Sequence, residues 1–183
     1  NAREAREIKK EIRNIEKQLA AVGYVEDGLP ADVINNIAFA RAHMKMNIYD
    51  QAVLEGVATS FPQTEEIIEN GKVFGMNATD VQKILNLKHA WEFILDRDVV
   101  ASRSDYYMLS YIARLVNEGF FAEGGRIRGV PVTIGGSSYI PPLPNEIDVK
   151  NKIREITEAN DEIINIAINL CLYCMKTQIF LDG

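Results

Sequence analysis

The sequence is poor in the side chains from which most catalytic and cofactor sites are built. Two cysteines and two histidines occur in 183 residues. Cys171 and Cys174 have the C-x-x-C spacing of a redox pair or half a zinc site, but no second pair exists and the surrounding stretch is apolar and helical in period. A free cysteine in such a stretch behaves as a small core residue, which is the expectation for both. His43 and His89 each stand alone on a helical pattern and are expected to be surface or satisfied residues rather than ligands. No Walker-type phosphate loop, dinucleotide glycine fingerprint, zinc spacing or Ser-His-Asp order is present.

Cations are scarce too, with 20 Lys and Arg against 26 Asp and Glu and a net charge of -6. Binding to a phosphate backbone draws on clustered cations that release counterions, so nucleic acid is not an expected partner. No apolar run is long and unbroken enough for a membrane helix, so no membrane partner is expected either. With no secretory signal before Asn1, the expected location is the reducing cytoplasm. Neither a repeat nor a low-complexity tract appears. Asn1 is not a starting methionine and Gly183 comes one residue after the apolar run Ile179-Phe-Leu181, so the natural chain is expected to continue past Gly183.

What remains is an ordinary globular mixture, 47% hydrophobic and 25% charged, long enough to bury a full core. Its periodicity is almost wholly helical. From Ala2 to Val22, Ile8, Ile12, Ile15 and Leu19 make an apolar stripe on a charged helix. Such a face needs a surface to pack on, and using it for a homodimer or a docked partner would make the chain a helical interaction module. Pro30 opens a second helix from Ala31 to Val53, with Ile34, Ile37, Ala38, Ala42 and Met46 toward a core. Further helices are predicted over Gln63 to Asn70, Asp80 to Asp96 and Asp105 to Glu118. From Arg126 to Ile140 the pattern turns β-branched around Gly135-Gly136, which predicts a short β-hairpin or extended flap ended by Pro141, Pro142 and Pro144. A last helix is predicted from Ile147 to Phe180, apolar on nearly all sides from Ile163 onward. Such a helix is expected to be central and surrounded, and to deliver Thr177 to Gly183 beside the core.

Two segments taken together resemble the Fic family. One is the flap Val132-Thr-Ile-Gly-Gly-Ser-Ser-Tyr-Ile-Pro-Pro142, and the other is the apolar helix ending in Gln178-Ile-Phe-Leu-Asp-Gly183. The second is similar to the start of the family's active-site motif, which runs histidine, any residue, phenylalanine, any residue, an acidic residue, glycine, asparagine, glycine or lysine, and arginine. Phe180, Asp182 and Gly183 match, while Gln178 stands at the histidine. The resemblance covers Gln51 to Gly183. It implies an all-α, Fic-like helical bundle around a central apolar helix with one short β-hairpin flap. The implied division is an N-terminal helical region over 1–57 and a Fic-like core over 58–183 that stops within its active-site motif.

The same resemblance implies transfer of AMP from ATP to a hydroxyl on a protein target, or less often transfer of phosphate. Asp182 would hold Mg²⁺ against the phosphates, as a hard oxygen ligand suits a hard cation. Gly183 would open a helix N-terminus toward the phosphate oxygens, and Phe180 would anchor the loop. Ile134, Gly135, Gly136, Ser137, Ser138 and Tyr139 would hold the target segment by strand-like pairing. Many Fic proteins also carry an inhibitory helix with serine or threonine, three residues, glutamate, then glycine or asparagine. Gln51-Ala-Val-Leu-Glu-Gly56 is similar, with Glu55 and Gly56 matched and Gln51 in place of the hydroxyl residue. A competing placement uses Glu69 before Asn70, with Glu65 at the hydroxyl position.

Glutamine changes the chemistry. The motif histidine takes the proton of the attacking hydroxyl, a task that needs a pKa near neutrality, and glutamine does not titrate. A general base contributes roughly 10²- to 10⁴-fold, so the expectation is weak or absent AMP transfer. Hydrogen bonding by Gln178 leaves a nucleotide-binding pseudoenzyme as the alternative.

Overall fold

The computed structural model describes residues 29–181. The chain divides into two compact units, 1–44 and 45–183. Seven helices lie among the described residues: α1 (Ala31–Leu54), α2 (Phe61–Asn70), α3 (Ala78–Ile94), α4 (Arg97–Val100), α5 (Tyr106–Val116), α6 (Glu146–Thr157) and α7 (Ile163–Thr177). The all-α class is thus observed, while the amphipathic stretch from Ala2 to Val22 lies outside the described residues. In the first unit, α1 stacks His43 on Phe39 one turn before it, with ring centroids 4.1 Å apart, and His43 is exposed.

In the second unit most helix starts are fixed by side chains that satisfy the otherwise orphaned first N–H groups. Ser60 donates from both N–H and Oγ–H to Gln63 Oε1 (3.0 and 2.9 Å), so α2 begins two residues before the predicted start. Asn77 caps α3 by accepting from Asp80 N–H at 2.8 Å. Asp96 caps the single turn of α4, Asp105 caps α5, and Asn145 accepts from both Ile147 and Asp148 at the start of α6. Gly71 stops α2 at φ 72°, its N–H reaching Ile67 C=O, a conformation that only glycine adopts without strain. Lys45, late in α1, pairs with Glu65 at 2.8 Å and with Glu69, tying α1 to α2. Those carboxylates hold the lysine's pKa above its ordinary value through their hydrogen bonds.

Packing then proceeds along the chain, α2 on α3, α3 on α5, α5 on α6 and α6 on α7. Ile84 and Ala90 of α3 and Ala113 of α5 are buried, each fully buried large aliphatic contributing about 1.5–3 kcal/mol. A second cluster forms where Val149 and Ile153 of α6 meet Ile179, with Tyr106, Leu109, Leu170, Tyr173 and Phe180 around it. Between them the loop after α5 lies tightly on that helix. Ser110 Oγ donates to Gly125 C=O at 2.6 Å, and a Cβ on Gly125 would sit 2.5 Å from the Ser110 carbonyl oxygen.

Three expectations are corrected. The helix predicted from Ile147 to Phe180 is two helices, broken at 158–162 where Asp161 Oδ1 accepts from Glu162 N–H (2.7 Å) and Asn165 Nδ2 (2.9 Å). An Asp that bonds its own following backbone competes with helix continuation. Second, α7 is not surrounded. Among the described residues α6 is its one extensive helical neighbour, and Ile163, Ile164, Ile168, Leu172 and Met175 stay exposed. Third, the segment predicted as a β-hairpin forms no ladder. Among the described residues, the one main-chain bond between two residues of the segment runs from Ser137 N–H to Ile134 C=O at 3.1 Å, closing a turn with Gly136 at φ 74°. Pairing about Gly135-Gly136 would set Pro131 opposite Ile140 and Pro141 opposite Val130, and proline has no N–H to give a ladder. The segment is the extended flap without the hairpin.

Candidate functional site

The end of α7 and the base of the flap meet at one side chain. Helix α7 stops because Gln178 takes a left-handed conformation, φ 48°, the one non-glycine residue of positive φ among the described residues. That geometry costs an L-residue about 1 kcal/mol, and residues held so tend to mark functional turns. It is held from both sides. Gln178 N–H donates to Cys174 C=O (2.9 Å), and Nε2 donates to Met175 C=O (2.8 Å). The next residue points inward, Ile179 being 2% exposed.

Arg128 closes the junction. Its N–H donates to Ile179 C=O at 3.0 Å. Its guanidinium donates to five carbonyls: Gln178 (2.5 Å), Val130 (2.9 Å), Pro142 (2.7 Å), Thr177 (3.2 Å) and Pro141 (3.3 Å). Arg128 is 2% exposed and pairs with no carboxylate among the described residues. The physical resolution lies in the acceptors. Thr177 and Gln178 present the unpaired carbonyls of a helix C-terminus, the negative end of its dipole, and the flap carbonyls complete the fork. No buried side-chain nitrogen or oxygen among the described residues lacks a partner. Pro141, which cannot give a ladder bond, thus supplies an acceptor instead, as does Pro142.

The predicted site residues fall in three places. Phe180 packs on the cluster of Val149, Ile153 and Ile179, its ring 6.4 Å from that of Tyr106. Ile134 is half-buried, while Gly135, Gly136, Ser137, Ser138 and Tyr139 are exposed beside the end of α7, with Lys176 Nζ 6.0 Å from the Tyr139 ring centre. Asp182 and Gly183 lie outside the described residues. Glu55 and Gly56 are elsewhere. They follow α1, where Gly56 turns the chain at φ 76°, and Glu55 lines an apolar cavity of about 590 Å³ between the end of α1, α3 and α5. Neither Gln178, Phe180 nor any of the flap residues 134–139 lines that cavity. Gln51, at the hydroxyl position, accepts from Trp91 Nε1 at 2.9 Å. The competing pair, Glu65 and Glu69, is engaged by Lys45.

Cys174 packs against the α6–α7 core as expected, and burial pushes its thiol up to about 11. Cys171 departs from expectation. It is exposed, its Sγ 3.8 Å from Met175 Sδ, and the two thiols are unbonded. His89 is exposed. No group of three or more His, Cys, Asp or Glu able to hold a metal gathers among the described residues, and no helix among them is long and apolar enough to cross a membrane. Sequence reasoning missed Arg128 and Ile179. The available signal was a lone arginine inside the apolar run Ile127-Arg-Gly-Val-Pro-Val132, a charge that a buried extended segment tolerates only with partners. No family model matches the chain, and no curated protein matches it.

Proposed function

We propose that this chain carries a Fic-type nucleotide site that transfers AMP from ATP to protein hydroxyl groups slowly, because glutamine replaces the base. The observation that carries this reading is the Arg128 junction, which joins the motif turn at Gln178 to the base of the flap. In the proposed arrangement the target segment lies along the flap. Among the described residues, the main-chain groups between Pro131 and Ile140 are left open apart from the Ile134–Ser137 turn and the bond from Tyr139 N–H to Ser137 Oγ, which is what strand addition requires. Phe180 seats the loop, and Gly183 would start the turn that faces the phosphates.

Mg²⁺ would be held by Asp182 with the ATP phosphates, since this ion commonly takes one or two carboxylates and completes its shell with phosphate and water. Its role would be to neutralise charge on the phosphates. Gln178 cannot accept the hydroxyl proton as a base, so positioning and charge stabilisation carry the reaction. Glu55 is the inhibitory glutamate of the proposal. Location in the cytoplasm and an as yet unidentified protein target belong to the same reading.

One observation favours a second reading, a nucleotide-binding pseudoenzyme. The Gln178 amide turns back to Met175 C=O, where it serves the helix end rather than an incoming hydroxyl. The experiment that separates them is transfer of label from α-phosphate-labelled ATP by wild type, Glu55→Gly and Gln178→His proteins. Label from wild type or Glu55→Gly supports slow transfer. Label from the histidine variant alone supports the pseudoenzyme, and silence from all three with no magnesium-dependent ATP binding overturns both.

A further inference from the structure

The cavity between the end of α1, α3 and α5 shares only Glu55 with the site proposed above, and its construction is that of a ligand pocket. Its volume of about 590 Å³ falls in the range of small-molecule sites, roughly 300–1,000 Å³, which are mostly apolar with a few convergent polar groups. Leu87, Trp91 and Ile94 from α3 face Ile112 from α5 and Phe120 beyond it. Two charged side chains share this lining, Glu55 and Lys83. Neither makes an ion pair among the described residues. Glu55 is exposed, whereas Lys83 is half-buried on α3. Solvent screens a charge on an exposed residue more strongly than one on a half-buried residue, so Lys83 is the stronger of the two charges a ligand meets beside the apolar wall.

We infer that this cavity binds an amphipathic carboxylate, its apolar body against Trp91, Leu87, Ile94 and Phe120 and its carboxylate at Lys83. A ligand ammonium would find only the screened Glu55, and an uncharged apolar body would leave Lys83 without a partner. The site requires no nucleotide, so its test is separate from that of AMP transfer.

Trp91 is the one tryptophan of the chain and lines the cavity, so its emission, excited apart from that of the tyrosines, is a local probe of occupancy. The probe is dodecanoate below its micelle concentration, with dodecylammonium as the control of equal length and opposite charge. Dodecanoate is expected to give a saturable change in Trp91 emission. Lys83→Gln should weaken it about tenfold, the loss of one hydrogen bond to a charged group, and Glu55→Gln should tighten it about twofold, as for an exposed charge. Lys83 lies at the cavity wall without a buried hydrogen bond, so its replacement leaves the fold intact, which circular dichroism checks. Absence of a saturable response, equal binding of dodecylammonium, or dodecanoate binding unchanged by Lys83→Gln overturns the proposal.

Discussion

Two junctions of the second unit are closed by buried polar side chains, and they differ in an instructive way. At the end of α5, Asn86 Nδ2 donates to the carbonyls of Val116 (2.9 Å) and Glu118 (2.8 Å), while its Oδ1 accepts from Gln82 one turn earlier. At the end of α7, Arg128 gathers five carbonyls. Both serve the same need, since carbonyls leaving a helix C-terminus have no intrahelical partner. The amide is neutral, and its cost of burial is met by three bonds. A guanidinium brings a charge, and its counter-charge is the dipole end of α7 with the flap carbonyls. The first junction joins two helices already packed on each other. The second holds a segment with no ladder of its own, so it depends more heavily on one side chain.

The comparison breaks first at Arg128. Arg128→Met should cost on the order of 3 kcal/mol, because the buried Pro141 carbonyl and four carbonyls of partly buried bonds lose a charged donor at once, read as a fall in the urea midpoint. Proteolysis should then begin within the flap. If the flap stays protected and the midpoint does not move, the segment is held by something else. Asn86→Ala should cost less, about 2 kcal/mol, and leave the flap as resistant to protease as in wild type. Equal loss from the two variants would erase the distinction between the junctions.

The smallest effect sharpens the comparison through the thiols. Cys174 abuts the second junction, and burial raises its thiol to about 11. A group whose folded pKa is raised stays protonated while the unfolded chain ionises. Stability from this thiol is therefore full below the unfolded value and declines as pH rises toward 11. At pH 8 the exposed Cys171 should react with a disulfide reagent well before Cys174, counted by released chromophore. Arg128→Met should bring the two rates together, and Asn86→Ala should not.

Helices were legible wherever caps and periodicity agreed. Ala31–Leu54 and Tyr106–Val116 were read almost to the residue, since Pro30, Asp105 and the apolar spacing all point the same way. The start of α2 was read late because Ser60 signals through Gln63, and the eye follows the apolar run instead. The break at Asp161 was hidden by good helix formers on either side. What sequence could not carry was partnership. An apolar pattern states that Ile163, Ile168 and Leu172 lack polar atoms, not that other elements cover them, and in α7 they are exposed. Likewise Arg128 reads as a surface charge until the helix end that receives it has been placed. That Gln178 and the base of the flap share Arg128 is also not written in either segment, and the position of Glu55 at a separate cavity depends on where the end of α1 lies, with Gln51 bonded to Trp91 of α3.

The Arg128 fork also has a mechanical meaning. The same terminal nitrogen that holds Pro141 and Pro142 holds Thr177, so the flap and the helix end are linked in series through one rigid plane. A displacement of Val130, Pro141 or Pro142 therefore bears directly on the carbonyls of Thr177 and Gln178.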